Sequence, residues 1–271
     1  MEIRHAIVTG GGSGLGRALC LEIARSGGIV VVADQNEDTA RETAEAVVAR
    51  GGHAEIVRID VTRAEEVVEL GRLAQRLLPQ VDLVVNNAGV VSGGAIGTLA
   101  LEEWRRVLAV NLDGVIHGCH VFAPLLRAQR HGAILNVASL AGLLSAPLLG
   151  PYNVSKAGVV ALSETLHAEL RPHGVGVTVL CPSFFQTNLL GSWAEPDAAL
   201  VTSAAREMAR GRIDAGEVAR RALAAVRAGL LYAVPMPEAR LAWWFKRLAP
   251  AMLARLLASR RFRERAGLPV P

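Results

Sequence analysis

Within Pro151-Tyr152-Asn153-Val154-Ser155-Lys156 a tyrosine and a lysine stand four residues apart. Pro151 suits the first helical position, where its missing N–H is no loss, so the stretch reads as the opening of a helix. Residues four apart then share one helix face. A phenol beside an ammonium makes a proton-transfer group for near-neutral pH. Free tyrosine titrates near ~10, and lowering that by about three units takes roughly 4 kcal/mol. One positive charge about 4 Å away supplies roughly that at an effective dielectric of ~20. Taken alone, the pair more readily fits a half-exposed helix face whose lysine head reaches for water. The rest of the chain reverses that preference.

A second group of residues suits phosphate chemistry. Gly10-Gly11-Gly12-Ser13-Gly14-Leu15-Gly16 follows an apolar run, Arg4 to Thr9, and precedes an amphipathic one reaching about Ser26. Glycines between a strand and a helix let the backbone approach a phosphate at the helix N-terminus. The spacing Gly10-x-x-x-Gly14-x-Gly16 differs from the Gly-x-Gly-x-x-Gly fingerprint of other dinucleotide folds. Asp34 ends the next apolar run, where a carboxylate reads the ribose 2′-hydroxyl of NAD and repels a 2′-phosphate. No Lys or Arg occupies positions 10–16 or 35–36. NAD is therefore preferred to NADP.

The elements that must position these groups alternate. Strands are expected at residues 4–9, 29–34, 53–59, 81–85, 133–137, 175–180 and 230–234. Helices are expected near 14–26, 36–50, from Asp60 or Thr62 to about Leu78, 102–126 with a bend at Asn111, 151–170, 198–210 and 214–228. Such alternation implies right-handed crossovers and a parallel sheet with helices on both faces. Ligands bind such sheets at the carboxyl ends of the strands, where Ser139 and Tyr152 fall.

These residues together match a family pattern. The chain resembles the short-chain dehydrogenase/reductase family over about residues 4–235. Thr9 to Gly16 fits its TGxxxGxG turn, with Gly10, Gly12, Ser13, Gly14, Leu15 and Gly16 against the cofactor. Asp60-Val61 fits its adenine-side acid. Asn86-Asn87-Ala88-Gly89 fits its NNAG element, and Asn87, Ala88 and Gly89 are expected to line the cofactor cleft. Asn111, Ser139, Tyr152 and Lys156 fit its catalytic tetrad. Pro182 and Thr187 fit its Pro-Gly-x-x-x-Thr segment, except that Ser183 replaces the glycine. The resemblance implies a Rossmann-like doubly wound sheet of seven parallel strands, order 3-2-1-4-5-6-7. It makes Tyr152 the general acid–base. Lys156 lowers its pKa and holds the nicotinamide ribose, Ser139 orients the substrate oxygen, and Asn111 holds a relaying water. It also implies a homo-oligomer, dimer or tetramer.

The implied reaction is hydride transfer between NAD(H) and a secondary alcohol or ketone. Leu140, Leu143, Leu144, Leu148, Leu149, Phe184, Phe185, Leu189, Leu190 and Trp193 gather in segments bordering the cleft, about half of them expected in ordinary packing. The remainder, with Ser139, Tyr152, Phe184 and Trp193 nearest the substrate, favour a lipophilic one. Two alternatives stay open: an NADP(H)-dependent reductase of the same fold, and a catalytically silent nucleotide-binding scaffold.

Composition bounds the rest. The 271 residues are 51% hydrophobic and 20% charged, as in a globular protein with a sizeable core. Cys20, Cys119 and Cys181 are widely spaced and read as buried thiols, which suggests a reducing, cytoplasmic setting. Neither a signal peptide nor a membrane-spanning run is expected. No metal site is expected, since His117-Gly118-Cys119-His120 on a helix would point its side chains apart. Residues 1–237 are expected to be near neutral and to form a single unit, while 238–271 carry a net charge of +6. This balance excludes a nucleic-acid-binding body. The tail segment 240–257 (RLAWWFKRLAPAMLARLL) mixes aromatic, apolar and basic residues, and Pro250 should divide it into two short helices. It suits an arm over the cleft or on a neighbouring subunit, a peripheral membrane contact, or a partner helix. Residues 260–265 are expected to fray.

Overall fold

Short runs of valine, isoleucine and leucine become the central strands, buried on both faces as a parallel sheet covered by helices requires. The computed structural model describes residues 1–193, 198–211 and 213–260. β1 (His5–Thr9), β2 (Ile29–Asp34), β3 (His53–Arg58), β4 (Leu83–Asn86), β5 (Ala133–Val137), β6 (Gly176–Leu180) and β7 (Tyr232–Ala233) form one parallel sheet. Its order is β3-β2-β1-β4-β5-β6-β7, as expected. Ala6 of β1 lies between Val30 of β2 and Leu83 of β4. The chain direction across the sheet reverses at β1 and β4, which opens a crevice at their carboxyl ends.

α1 (Gly14–Ala24), α2 (Glu37–Val48) and α9 (Ala215–Arg227) pack together along one side. α3 (Ala64–Leu77), α5 (Gly114–Gln129) and α7 (Gly150–Leu170) pack together along the other. α4 (Leu101–Leu108) leads into α5 through a π-helical turn, Ala109–Asp113, which is the bend expected at Asn111. α6 (Leu140–Leu144), α8 (Ala198–Ala209), α10 (Pro237–Leu248) and α11 (Pro250–Ala258) lie beyond the strand ends. Pro250 divides the last two as its missing N–H demands.

Several boundaries differ from the sequence expectation. β4 starts at Leu83 rather than Val81, because the Val81 N–H is taken by the Gln129 side chain. β7 shrinks to two residues, the only ones that reach β6 in register. Neither Asp60 nor Thr62 caps α3, whose N-cap is Arg63. The Asp60 carboxylate instead accepts the Thr62 N–H and hydroxyl at 2.9 and 2.8 Å. Asp214 does cap α9, accepting the Glu217 N–H at 2.7 Å. By length and composition the run Leu101–Gln129 would be long enough to cross a membrane, contrary to expectation. Here it is a flanking helix of the sheet, burying Val107, Val115, Phe122 and Leu126. Residues 261–265 of the tail lie outside the described residues.

At the amino end of the sheet, the Asp82 carboxylate is a buried knot. It accepts the N–H groups of Arg4 and His5 at 2.9 and 2.8 Å, and meets His131 Nε2 at 2.9 Å. Burial opposes its charge, but these donors outweigh that and hold its pKa below the usual 3.8. A carboxylate favoured in the folded state stabilises it fully above its unfolded pKa, and the gain fades as pH falls through the folded value. Asp82→Asn should therefore cost about 2 kcal/mol in urea unfolding at neutral pH. The deficit against the parent should narrow only below pH 3.8. A constant deficit down to acid pH would show that the charge is irrelevant.

Candidate active site

The glycine turn is shaped by what it must touch. Gly10 sits at φ +63°, a region costly for side-chain-bearing residues. A Cβ on Gly16 would run into the Gly10 carbonyl and the Asn87 amide. The next strand end is bolted to this turn. Thr9 Oγ1 accepts the N–H groups of Asn87 and Ala88 at 3.0 and 3.3 Å, and Asn87 Nδ2 donates to the Thr9 and Gly10 carbonyls. Asp34 closes the other side: its Oδ2 accepts the Gly12 N–H at 2.9 Å and its Oδ1 that of Asn36 at 3.0 Å.

These groups line one end of a cleft of about 930 Å³. Gly10, Ser13, Gly14, Leu15, Asp34, Asp60, Val61, Asn87, Ala88 and Gly89 all reach it, as do Pro182 and Thr187. Gly12 and Gly16 do not line it but hold the turn that does. The N-terminus of α1, the missing side chains and the two acids fit a dinucleotide. Lys156 is the sole Lys or Arg lining the cleft among the described residues. Ser183 departs from the family's glycine without backbone strain. It is not among the positive-φ residues, and its N–H meets Met236 Sδ at 3.4 Å.

Ser139, Tyr152 and Lys156 line the same cleft. Ser139 N-caps α6, with Oγ accepting the Ala141 N–H at 3.1 Å. Tyr152 and Lys156 are buried on the inner face of α7, 8% and 3% exposed. The four-residue spacing predicts an ammonium that lowers the phenol pKa, whereas in the structure burial is the largest influence on Tyr152. Lys156 Nζ lies 5.8 Å from the Tyr152 ring centroid and donates to the Val137 carbonyl at 2.8 Å. Burial dominates both groups because each charged form loses its water. It raises the Tyr152 pKa, against a lowering by the Ser139 hydroxyl. It brings Lys156 down to about 8, against a rise from nearby Cys181.

Asn111 is fully buried in the π-helical turn. Its Oδ1 accepts the Val90 N–H at 2.8 Å, and its Nδ2 donates to the Val90 carbonyl and to Ser155 Oγ at 2.9 and 3.2 Å. It therefore ties the loop after β4 to α7. A second buried chain escaped sequence reasoning: Asn86 Nδ2 donates to Asn136 Oδ1, and Asn136 Nδ2 to Ser163 Oγ. It pins the ends of β4 and β5 to α7. Only three polar residues at inward strand and helix positions could have signalled it.

The other half of the cleft is apolar. Leu140, Leu144, Leu149, Phe184, Phe185, Leu189, Leu190 and Trp193 line it, more than the half expected, whereas Leu143 enters the main core and Leu148 a satellite cluster. Trp193 packs against Tyr152, and Phe184 is 45% exposed at the rim. Sequence reasoning missed Leu200 and Met208 of α8 as lining residues. It left open where the tail goes, and Ala242, Leu253, Leu256 and Leu257 answer that by lining the cleft too. His117 Nδ1 meets the Val61 carbonyl while Cys119 is buried beside Asn136, so these neighbours in sequence point apart. All three cysteines are free and buried.

Sheet order, glycine turn and cleft define a Rossmann-like dinucleotide-binding protein. Residues 4–198 match the family described as short chain dehydrogenase, and the chain belongs to the short-chain dehydrogenase/reductase family. It is 40% identical over 186 residues to a probable oxidoreductase, EphD, of Mycobacterium tuberculosis. That match covers 68% of this chain but only 31% of EphD. It is 34% identical to a 3-oxoacyl-[acyl-carrier-protein] reductase of Synechocystis, over 68% of this chain and 75% of the relative. A solved short-chain dehydrogenase/reductase from Burkholderia phymatum in complex with NAD superposes with a TM-score of 0.87 at 33% identity, covering 93% of this chain and 95% of that one.

Proposed function

We propose that the protein is an NAD(H)-dependent oxidoreductase of lipophilic secondary alcohols or ketones. The observation that carries this is that Ser139 and Tyr152 share one cleft with the glycine turn and with an apolar lining, Tyr152 packing with Trp193 and Leu200. In this reading the bound nicotinamide accepts or supplies the hydride. Tyr152 exchanges the proton of the substrate oxygen. Ser139 donates a hydrogen bond to that oxygen and stabilises charge developing there. Lys156 holds the nicotinamide ribose, and Asn111 keeps α7 and the Val90 loop in register. Asp34, with no Lys or Arg beside it in the cleft among the described residues, favours NAD over NADP by repelling a 2′-phosphate, and Asp60 lies on the adenine side.

The apolar half supports a lipophilic substrate, because a sugar would leave hydroxyl groups unpaired there. The named ketone-reducing relative is compatible with this. A buried Tyr–Lys pair facing a substrate-sized cavity also favours turnover over a silent scaffold. The test is a panel of aliphatic and cyclic alcohols and ketones, polyols and phosphorylated sugars, with both cofactors. The expected result is turnover of apolar members with NAD(H). Turnover confined to polyols or sugar phosphates would refute the substrate class. Cofactor binding with no turnover of any member would favour the scaffold.

A further inference from the structure

The C-terminal helices have two faces, and only one is used by the cleft. Tyr232 donates a hydrogen bond to Glu164 of α7 and stacks on Trp243, ring centroids 4.7 Å apart. Arg247 lies over the other part of this stack, 5.4 Å from the Trp243 ring. α10 is thereby fixed to the body by Trp243 and the buried Ala239. Its opposite face, Leu241, Trp244 and Leu248, is 73%, 57% and 81% exposed. In α11, Leu253 and Leu257, one turn apart, face the cleft. Met252 and Leu256, also one turn apart on the adjoining face, are 55% and 51% exposed. Leu256 belongs to both surfaces, so the exposed face of α11 adjoins the apolar cavity.

Charge selects the occupant of this stripe. Residues 237–260 contain five bases and one acid, Glu238. Arg240 and Arg247 stand one turn before and after Trp244 on the same side of α10; Arg240 Nε donates to the Val234 carbonyl at 2.7 Å and Arg247 lies over Trp243, which holds both guanidinium groups at the border of the exposed face. An aromatic and aliphatic stripe bordered by arginines matches the headgroup region of an anionic bilayer. There the tryptophan sits at the interface and the bases meet lipid phosphates. A second copy of this chain would bring like charges together instead.

We infer that α10 and α11 dock on an anionic membrane surface and pass a lipophilic substrate from the bilayer past Leu256 into the cleft. This rests on the lipophilic-substrate reading, but the docking itself is measured without turnover. The full chain is sedimented with vesicles of phosphatidylcholine alone or mixed with phosphatidylglycerol. It is expected to partition onto the mixed vesicles, less onto the neutral ones, and to release as salt rises. Leu248→Glu should weaken binding about tenfold by removing an inserted aliphatic group. Arg255→Gln should weaken it about fivefold. Both residues lie outside the cleft lining, so circular dichroism and turnover of a water-soluble substrate should not change. Sedimentation no greater than without vesicles, or equal for the parent and Leu248→Glu, would overturn the inference. So would a dimer broken by Leu248→Glu with no vesicle binding. Vesicle binding by a chain inactive on every lipophilic alcohol would uphold docking and sink the substrate reading.

Discussion

Replacing Tyr152 by phenylalanine is expected to lower kcat about a thousandfold while NADH affinity stays within about threefold. The ring is 8% exposed and packs with Val91, Trp193 and Leu200, contacts that phenylalanine keeps. Only the hydroxyl is lost, and with it the proton exchanged with the substrate oxygen. The pH profile separates this from a packing defect. Burial raises the Tyr152 pKa, so alcohol oxidation by the parent should rise with pH as the phenol gives up its proton. Burial brings the Lys156 pKa down to about 8, so this ammonium sheds its charge over the same range. In the phenylalanine variant the rising limb should vanish. Fluorescence titration with NADH and steady-state rates across pH decide it, and activity within tenfold of the parent would remove Tyr152 from the chemistry.

Asp34→Ala should lower kcat/KM with NAD about a hundredfold and leave the value with NADP within a few-fold. A carboxylate accepting from a ribose hydroxyl contributes roughly 1.5–3 kcal/mol as a charged hydrogen bond, and the same charge repels a 2′-phosphate. The carboxylate also holds the N–H groups of Gly12 and Asn36. Loss of those bonds alone would loosen the turn and weaken both cofactors alike. The ratio of the two kcat/KM values is therefore the informative quantity. An unchanged ratio would mean that Asp34 shapes the turn and does not choose the cofactor.

The strands were legible because a buried parallel sheet leaves little choice. Val30-Val31-Val32-Ala33 and Leu83-Val84-Val85 are fully buried and can hardly be anything else. The glycine turn was legible for a related reason, since backbone crowding at Gly16 and positive φ at Gly10 restrict the residue type. Ends were read less well where a partner distant in sequence decides them. Gln129, 48 residues away, takes the N–H that would have started β4 at Val81. Pairing with β6 alone sets the length of β7.

The sequence by itself determined the alternation of strands and helices, the glycine turn and the division of the tail into two helices at Pro250, because periodicity, turn chemistry and residue type are local. The strand order and the Asn111, Ser139, Tyr152 and Lys156 set came from the resemblance to a family. Tertiary structure decided what those groups face. It turned Lys156 toward the Val137 carbonyl rather than the phenol and made burial the leading influence on both pKa values. It spent the Asn111 amide on Val90 and Ser155. It brought Leu253 and Leu257 over a cavity built some hundred residues earlier in the chain. Distance and desolvation depend on which elements meet, and no spacing along one helix encodes that.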